Sequence, residues 1–283
     1  MGRIAGVREN IVGFCHSPPP RRRRAMWLSE KDDDMTDPTE RILFGTGSPN
    51  VRKVGLLLEE LGLDYAMKHV AVFSGEQFEP DFLAMNPIGK VPVLTDPGAD
   101  EPLFESNAIL IYLAETYGPD FLPAAGAARR DVMRWLMVQT ALVGPMLGQY
   151  NHYHLVVKHG SEPYSAARYR NQSETVYRHL DDRLASRDWI AGDGYSIADI
   201  AIWPWTLYLE RHEFAPEDFP NLARWRAQIA ERPAAKRMTH RVETEYDPRN
   251  NLTRRSSSPE SLDRLFNRKP DGPEADFSLI VSV

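Results

Sequence analysis

The chain has 283 residues, of which 42% are hydrophobic and 26% charged, and its formal net charge is -6 at pH 7. This composition is that of an ordinary globular protein, and the negative net charge argues against a nucleic-acid partner. The single cysteine, Cys15, excludes an internal disulfide framework, and no apolar run approaches the length of a membrane span. We therefore expect a cytoplasmic protein with no nucleic-acid or membrane partner.

The first 40 residues are dominated by prolines and by runs of like charge, including SPPPRRRR and SEKDDD. Such a segment buries too little apolar surface to offset the entropy lost on folding. We predict a disordered extension over residues 1–40. Met35, just before the first predicted strand, is an alternative start of the functional chain.

Residues 41–118 predict a small α/β domain. Apolar patterning predicts strands at 42–44, 65–72, 91–95 and 102–104, and helices at 51–61 and 106–117. A β-α-β unit followed by a hairpin and a helix is the layout of a thioredoxin-like domain. Gly118 is expected to end the last helix in the left-handed conformation.

Residues 119–130, rich in proline, glycine and alanine, predict a linker. Strand signals disappear beyond it, and amphipathic patterns predict helices at 131–142, 164–186, 197–210 and 220–231. An all-helical C-terminal domain is therefore expected over residues 131–245. Residues 246–283 predict a disordered tail with a short, loose apolar end.

The turn GTGSPN joins the first strand to the first helix. It lacks the Gly-Lys-Ser/Thr of a nucleotide-binding loop and the third glycine of a dinucleotide fingerprint. In a thioredoxin-like layout, redox proteins place Cys-x-x-Cys here, whereas this chain has Ser48, Pro49 and Asn50. Thiol chemistry at this turn would need a thiol carried by a ligand. The simpler alternative is that Ser48 and Asn50 only cap the helix.

Two further motifs could bind a peptide-like ligand. Val91 precedes Pro92, which belongs at a strand start or edge, so Val91 could offer its backbone groups to a ligand or simply form an ordinary edge. Glu105 and Ser106 end a strand and open a helix. A helix start favours a carboxylate and Glu105 could hold an ammonium, so the pair suits the zwitterionic end of an amino acid. A plain helix cap is the alternative.

The run GPMLGQYNHYH, residues 144–154, contains two histidines but no neighbouring cysteine or carboxylate. Zinc sites draw on such ligands, so we expect no metal here and instead a polar, aromatic wall of a pocket. Ser196 and Asp199, three residues apart, match a helix capping box and are interpreted as structural.

The order of four motifs resembles the glutathione S-transferase family over about residues 41–239. These motifs are SPNVRK, NPIGKVPVL, FESNAILIYL and SIADIAIWPW. The Ser-Pro-Asn tip together with GPMLGQYNHYH is similar to the nu class and to bacterial disulfide-bond oxidoreductases. The resemblance implies a glutathione S-transferase fold, glutathione as the thiol substrate, no metal, and a homodimer.

The same resemblance implies roles for individual residues. Ser48 and Asn50 would be catalytic and face the sulfur; the class usually has threonine where Ser48 stands, so Thr46 is a substitute hydroxyl. The implied glutathione-binding residues are Gln77, Lys90, Val91, Pro92 as a cis-proline, Glu105, Ser106 and Arg168. The implied second-substrate pocket includes Gln149, Asn151 and His152.

The implied activity is glutathione-dependent and enzymatic. The site would stabilise a glutathione thiolate and use it to reduce a small-molecule disulfide or to attack an electrophile. One alternative is conjugation, or cleavage of a glutathionyl thioether or aryl ether, at the same site. Another is a regulatory protein that binds glutathione without turnover.

Overall fold

A four-stranded mixed sheet forms the first domain of the computed structural model, which describes residues 40–155 and 163–269. The strands lie in the order β2-β1-β3-β4; β1 is parallel to β2, and the other two pairs are antiparallel. They are β1 Ile42–Gly45, β2 Ala66–His69, β3 Val93–Thr95 and β4 Leu103–Phe104. The predicted β-α-β unit followed by a hairpin is confirmed, although β2 and β3 are shorter than predicted.

Helices flank the sheet and build the second domain. Those of the first domain are α1 Pro49–Leu61, α2 Pro80–Met85 and α3 Ser106–Tyr117. The second domain contains α4 Gly126–Val138, α5 Gly144–Leu155, α6 Pro163–Leu184, α7 Ile197–Thr206, α8 Pro220–Ala230 and α9 Pro233–Arg241. Two further helices follow, α10 Asp247–Arg255 and α11 Pro259–Leu265. Within these ranges, no helix is both long and apolar enough to cross a bilayer.

Helix α1 lies at the junction of the two domains. It begins at Pro49, whose fixed φ suits the first helical position, and ends before Gly62 at φ 63°. Val51, Val54 and Leu57 are fully buried. The helix packs against α3 of its own domain and against α7 and α9 of the helical domain. Its first turn is therefore held between both domains.

Helix α7 is anchored by the predicted capping box, which the structure confirms at Ser196 and Asp199. The buried Asp199 carboxylate also accepts hydrogen bonds from the Ile190 N–H at 2.8 Å and the Trp225 indole N–H at 2.9 Å. Burial raises the pKa of Asp199 to about 6. These contacts fix the helix that carries Trp205.

Two predictions about the ends of elements are wrong. Helix α4 begins at Gly126, inside the predicted linker, because the alanines and arginines of this stretch are good helix formers. Gly118 ends α3 with φ −148° and is therefore not left-handed. The chain continues at once into a short helical turn, Pro119–Phe121.

The prediction of a disordered tail from residue 246 is also wrong over the part that the structure describes. Helices α10 and α11 pack on the first domain, where Asn250 and Leu262 are 8% and 2% exposed. Both helices are mainly polar, so their few buried positions gave little periodic signal. The predicted extension before Glu40 and the apolar end beyond residue 269 lie outside the described residues, as does Met35.

Candidate functional site

Residues from separate motifs meet at a cavity of about 210 Å³ between α1, α3 and the α4–α5 junction. Three of the predicted site residues line it: Asn50, Glu105 and Ser106. Lys53 and Trp205 line it as well. The cavity therefore brings together the start of α1 and the start of α3, which the sequence places more than 50 residues apart.

The side chain of Asn50 is oriented by a contact from the second domain. The indole N–H of Trp205 donates a hydrogen bond to Asn50 Oδ1 at 3.3 Å. This bond leaves the amide nitrogen of Asn50 as a donor toward a ligand. The Trp205 ring packs against α5. A Cβ placed on Gly148 of that helix would lie 3.6 Å from the ring.

Ser48 precedes α1 in an extended conformation and makes no side-chain capping bond. Its carbonyl instead accepts the N–H groups of Val51 and Arg52 at 3.0 and 2.9 Å. The structure therefore gives no support to the alternative in which the Ser48 hydroxyl caps the helix. Thr46, the substitute hydroxyl, is buried and accepts a hydrogen bond from Asn250 at 3.3 Å, which ties it to α10.

Glu105 and Ser106 form the opposite wall. Glu105 is exposed and has φ 64°, a strained backbone conformation for a residue with a side chain. Such strain concentrates at functional sites. Ser106 is 7% exposed and is the first residue of α3, a twelve-residue helix that has no side-chain cap. The arrangement offers a helix N-terminus to a carboxylate and a carboxylate to an ammonium.

Gln77 and the Val91–Pro92 bond lie on the loops beside the sheet. The side chain of Gln77 is 2% exposed, and neither its oxygen nor its nitrogen has a partner among the described residues. A buried amide without partners is costly, so a ligand that bonds it would be stabilised. The Val91–Pro92 peptide bond is cis, as the resemblance implied. Lys90 is exposed, and its carbonyl accepts a hydrogen bond from Asn86 at 2.7 Å.

The other predicted residues do not line the cavity. Arg168 on α6 and Gln149 on α5 are exposed. Asn151 has a buried oxygen with no partner in the described part of the chain. His152 lies with its ring 5.2 Å from that of Phe266, and burial lowers its pKa. Their roles toward glutathione or a second substrate therefore remain predictions.

Lys53 and Gln139 are functional candidates that sequence reasoning missed. The Lys53 ammonium donates to Asn107 Oδ1 and Gln139 Oε1, both at 2.7 Å, and burial lowers its pKa to about 7. Gln139 begins a π-helical turn, Gln139–Val143, of the kind common at functional sites. A lysine three residues after Asn50, within an otherwise apolar face of α1, was the available signal.

Metal ligands do not cluster in the described ranges. No group of three or more histidine, cysteine, aspartate or glutamate side chains is arranged there to hold an ion.

Comparison with known families matches both domains. The model of the glutathione S-transferase N-terminal domain matches residues 41–115, and that of the C-terminal domain matches residues 143–233. Among curated proteins, the chain is 40% identical over 197 residues to the disulfide-bond oxidoreductase YfcG of Escherichia coli, covering 68% of this chain and 91% of that protein. It is 35% identical to the disulfide-bond oxidoreductase YghU of the same organism, covering 69% of this chain and 72% of that protein.

A similar solved structure is the glutathione transferase of Pseudomonas putida, crystallised with one glutathione disulfide bound per subunit. The two chains are 34% identical and superpose with a TM-score of 0.68. The match covers 75% of this chain and 94% of that one.

Proposed function

The chain belongs to the glutathione S-transferase family, and from that premise we propose that it is a glutathione-dependent disulfide-bond oxidoreductase. The names of the two bacterial relatives and the glutathione disulfide bound in the similar structure support this activity. The observation that carries it here is the Asn50 amide. Its oxygen is engaged by Trp205, so its nitrogen is directed to act as a donor in the cavity.

Glutathione would bind along the wall that Glu105 and Ser106 share. The γ-glutamyl carboxylate would lie at the Ser106 hydroxyl and the N-terminus of α3, with its ammonium at Glu105. The Gln77 amide would bond the backbone near the glycyl end, and Val91 would pair with the cysteinyl unit beside cis-Pro92. The exposed cations Lys90 and Arg168 would add attraction for the tripeptide's carboxylates.

The sulfur would then lie at Asn50 and Ser48, before the first turn of α1. A free thiol has a pKa of about 8.5 and is mostly protonated at neutral pH. An amide donor, a hydroxyl donor and a helix N-terminus each favour the thiolate over the thiol. The site would therefore lower the pKa of the bound thiol, with no cysteine needed from the protein.

Disulfide reduction would proceed by two exchanges. The thiolate attacks one sulfur of a disulfide, the new mixed disulfide forms, and the second sulfur leaves as a thiolate that takes a proton. A second glutathione thiolate then attacks the glutathionyl sulfur and releases the other thiol. Two glutathione molecules are thus oxidised to one glutathione disulfide while the substrate disulfide becomes two thiols.

A side-by-side assay tests this proposal against its rivals. With glutathione as the thiol, we expect rapid reduction of hydroxyethyl disulfide. The reaction is monitored through coupled reduction of the glutathione disulfide that it produces. Conjugation of chlorodinitrobenzene should be slower than this reduction. Faster conjugation than reduction would favour a transferase, and binding without either reaction would favour a regulatory protein.

We also propose a cytoplasmic homodimer in which the first domain of one chain faces the helical domain of the other. Two apolar side chains support this arrangement, since Phe104 on the edge strand β4 and Met137 on α4 are 37% and 51% exposed. Sedimentation velocity should give twice the mass of one chain, and Met137→Arg should shift the protein toward monomer. A monomeric parent protein would refute the arrangement.

A further inference from the structure

Lys53 is a buried basic side chain, and its described neighbours place no counter-ion within ion-pair distance. Its side chain is 1% exposed, and its two hydrogen-bond acceptors, Asn107 and Gln139, are neutral amides. No carboxylate oxygen of residues 40–155 or 163–269 lies within 4.0 Å of its nitrogen. A desolvated ammonium of this kind is unfavourable unless an anion approaches it.

The cavity gives an anion access to this charge. Lys53 and Ser106 both line the cavity. Ser106 directly precedes Asn107, which accepts a hydrogen bond from Lys53. The N-terminus of α3 lies at the same wall and favours negative charge as well. Two independent sources of positive potential therefore converge on the position proposed for the γ-glutamyl carboxylate.

Among the described residues, the elements packed around Lys53 place no carboxylate within ion-pair distance of it. On α1, the neighbouring Arg52 turns to the Gly47 carbonyl and Asp247 instead. Glu105 at the start of α3 is the charged group that acts on Lys53, from outside ion-pair distance. The residues that the α4–α5 junction and α7 contribute to the wall are uncharged: Gln139, Thr140, Gly144, Pro145 and Trp205.

We propose that Lys53 is a positioning residue for the γ-glutamyl carboxylate of glutathione, and that it takes up a proton when the tripeptide binds. This inference rests on the proposed function, because it concerns the same cavity. The amine form suits the ligand-free site, where the side chain is buried. Once a carboxylate lies at Ser106, the ammonium form of Lys53 is favoured. The ammonium then stabilises that carboxylate together with the N-terminus of α3, which the Lys53–Asn107 hydrogen bond holds in place.

The direction of the pH dependence follows from burial. Desolvation places the Lys53 pKa at about 7 in the ligand-free protein, so the side chain is mostly neutral at about pH 8 and charged at about pH 6. A bound anion raises that pKa. Binding should therefore absorb about half a proton or more at about pH 8 and almost none at about pH 6, and affinity should fall as pH rises through 7.

Calorimetry with S-methylglutathione isolates this proton, because that probe has no thiol to ionise. Titrations at about pH 8 in phosphate, HEPES and Tris, whose ionisation enthalpies differ, give the number of protons absorbed from the slope of the observed heat. The wild-type protein should show uptake. If the probe binds with no net proton uptake at this pH, the inference about Lys53 is wrong although the glutathione site stands. If it does not bind at all, the proposed function is wrong.

Two variants assign the proton. Lys53→Met should bind about tenfold more weakly and lose the uptake at about pH 8. Gln139→Glu places a carboxylate next to the ammonium, keeps Lys53 charged, and should also lose the uptake while the fold is retained. The exposed Lys236, paired with Glu231 on the surface, is the matched control, and Lys236→Met should behave as wild type. Uptake that persists in both site variants would assign the proton to another group.

Discussion

Replacing Asn50 with alanine is expected to lower the kcat for disulfide reduction about a hundredfold, while the affinity for glutathione stays near that of the parent protein. Removing one preorganised donor from a site of developing or fixed negative charge typically costs this much. The binding contacts proposed for the tripeptide lie at Glu105, Ser106 and Gln77, away from the sulfur. Steady-state kinetics and calorimetry with glutathione measure the two quantities.

The pH profile separates a donor from a structural residue. If the Asn50 amide stabilises the thiolate, Asn50→Ala should raise the pKa of the bound thiol by one to about two units. Activity should then recover partly at alkaline pH, and thiolate absorbance in the ultraviolet should shift in parallel. A uniform loss at every pH, with unchanged thiolate absorbance, would show that Asn50 acts elsewhere.

Trp205→Phe tests the orientation of the same amide. The substitution keeps an aromatic ring on α7 that packs against α5, but it removes the N–H that bonds Asn50 Oδ1. The amide can then rotate, so we expect a several-fold loss of kcat and a smaller rise in the thiol pKa than in Asn50→Ala. The double variant should lose little beyond Asn50→Ala, because both changes act through one donor.

The local parts of this structure were predictable from the sequence. The strand, turn and helix around Ser48 follow from periodicity within 20 residues, and the capping box at Ser196 and Asp199 is read from a spacing of three. The thioredoxin-like order of elements follows from the same signals. Cis-Pro92 was implied by the family resemblance rather than by local physics.

The missed parts depend on long-range contacts. Trp205 bonds Asn50 across 155 residues, and Gln139 reaches Lys53 across 86. The sequence interval "SIADIAIWPW" reads as an apolar helix, and nothing in it indicates that one indole faces another domain. The π-helical turn at Gln139 likewise has no simple sequence signature, so the buried Lys53 had no predicted partner.

Helices α10 and α11, which we call the C-terminal strap, are the clearest case of a structure that local sequence patterns did not predict. Its residues are largely polar, and the sequence predicted disorder there. The strap instead packs against the side of the first domain that carries the turn between β1 and α1, where Asn250 bonds His69 at 2.8 Å as well as Thr46. Gly47 permits this approach, because a Cβ there would lie 2.5 Å from Asp247 Oδ1.

Ending the chain at Tyr246 should therefore lower the melting temperature by about 10 °C and weaken glutathione binding at least tenfold. Burial of Leu262 contributes about 2 kcal/mol, and the two hydrogen bonds of Asn250 about 1 kcal/mol each. For a folded body of this size, each kcal/mol corresponds to about 2–4 °C. Differential scanning calorimetry and glutathione titration measure both effects.

The effect on binding should follow from the contacts that the strap makes beside the site. Arg264 lies 4.5 Å from the ring centre of Phe78, next to Gln77, and Asn250 holds Thr46, two residues before Ser48. Leu262→Ala removes a buried anchor, 2% exposed, and should reproduce much of the truncation, whereas Leu252→Ala at a 70% exposed position on the same strap should leave melting and binding unchanged. Equal melting and binding of the two leucine variants would mean that the strap is not held on the domain by Leu262, since only a docked strap distinguishes its buried face from its exposed one.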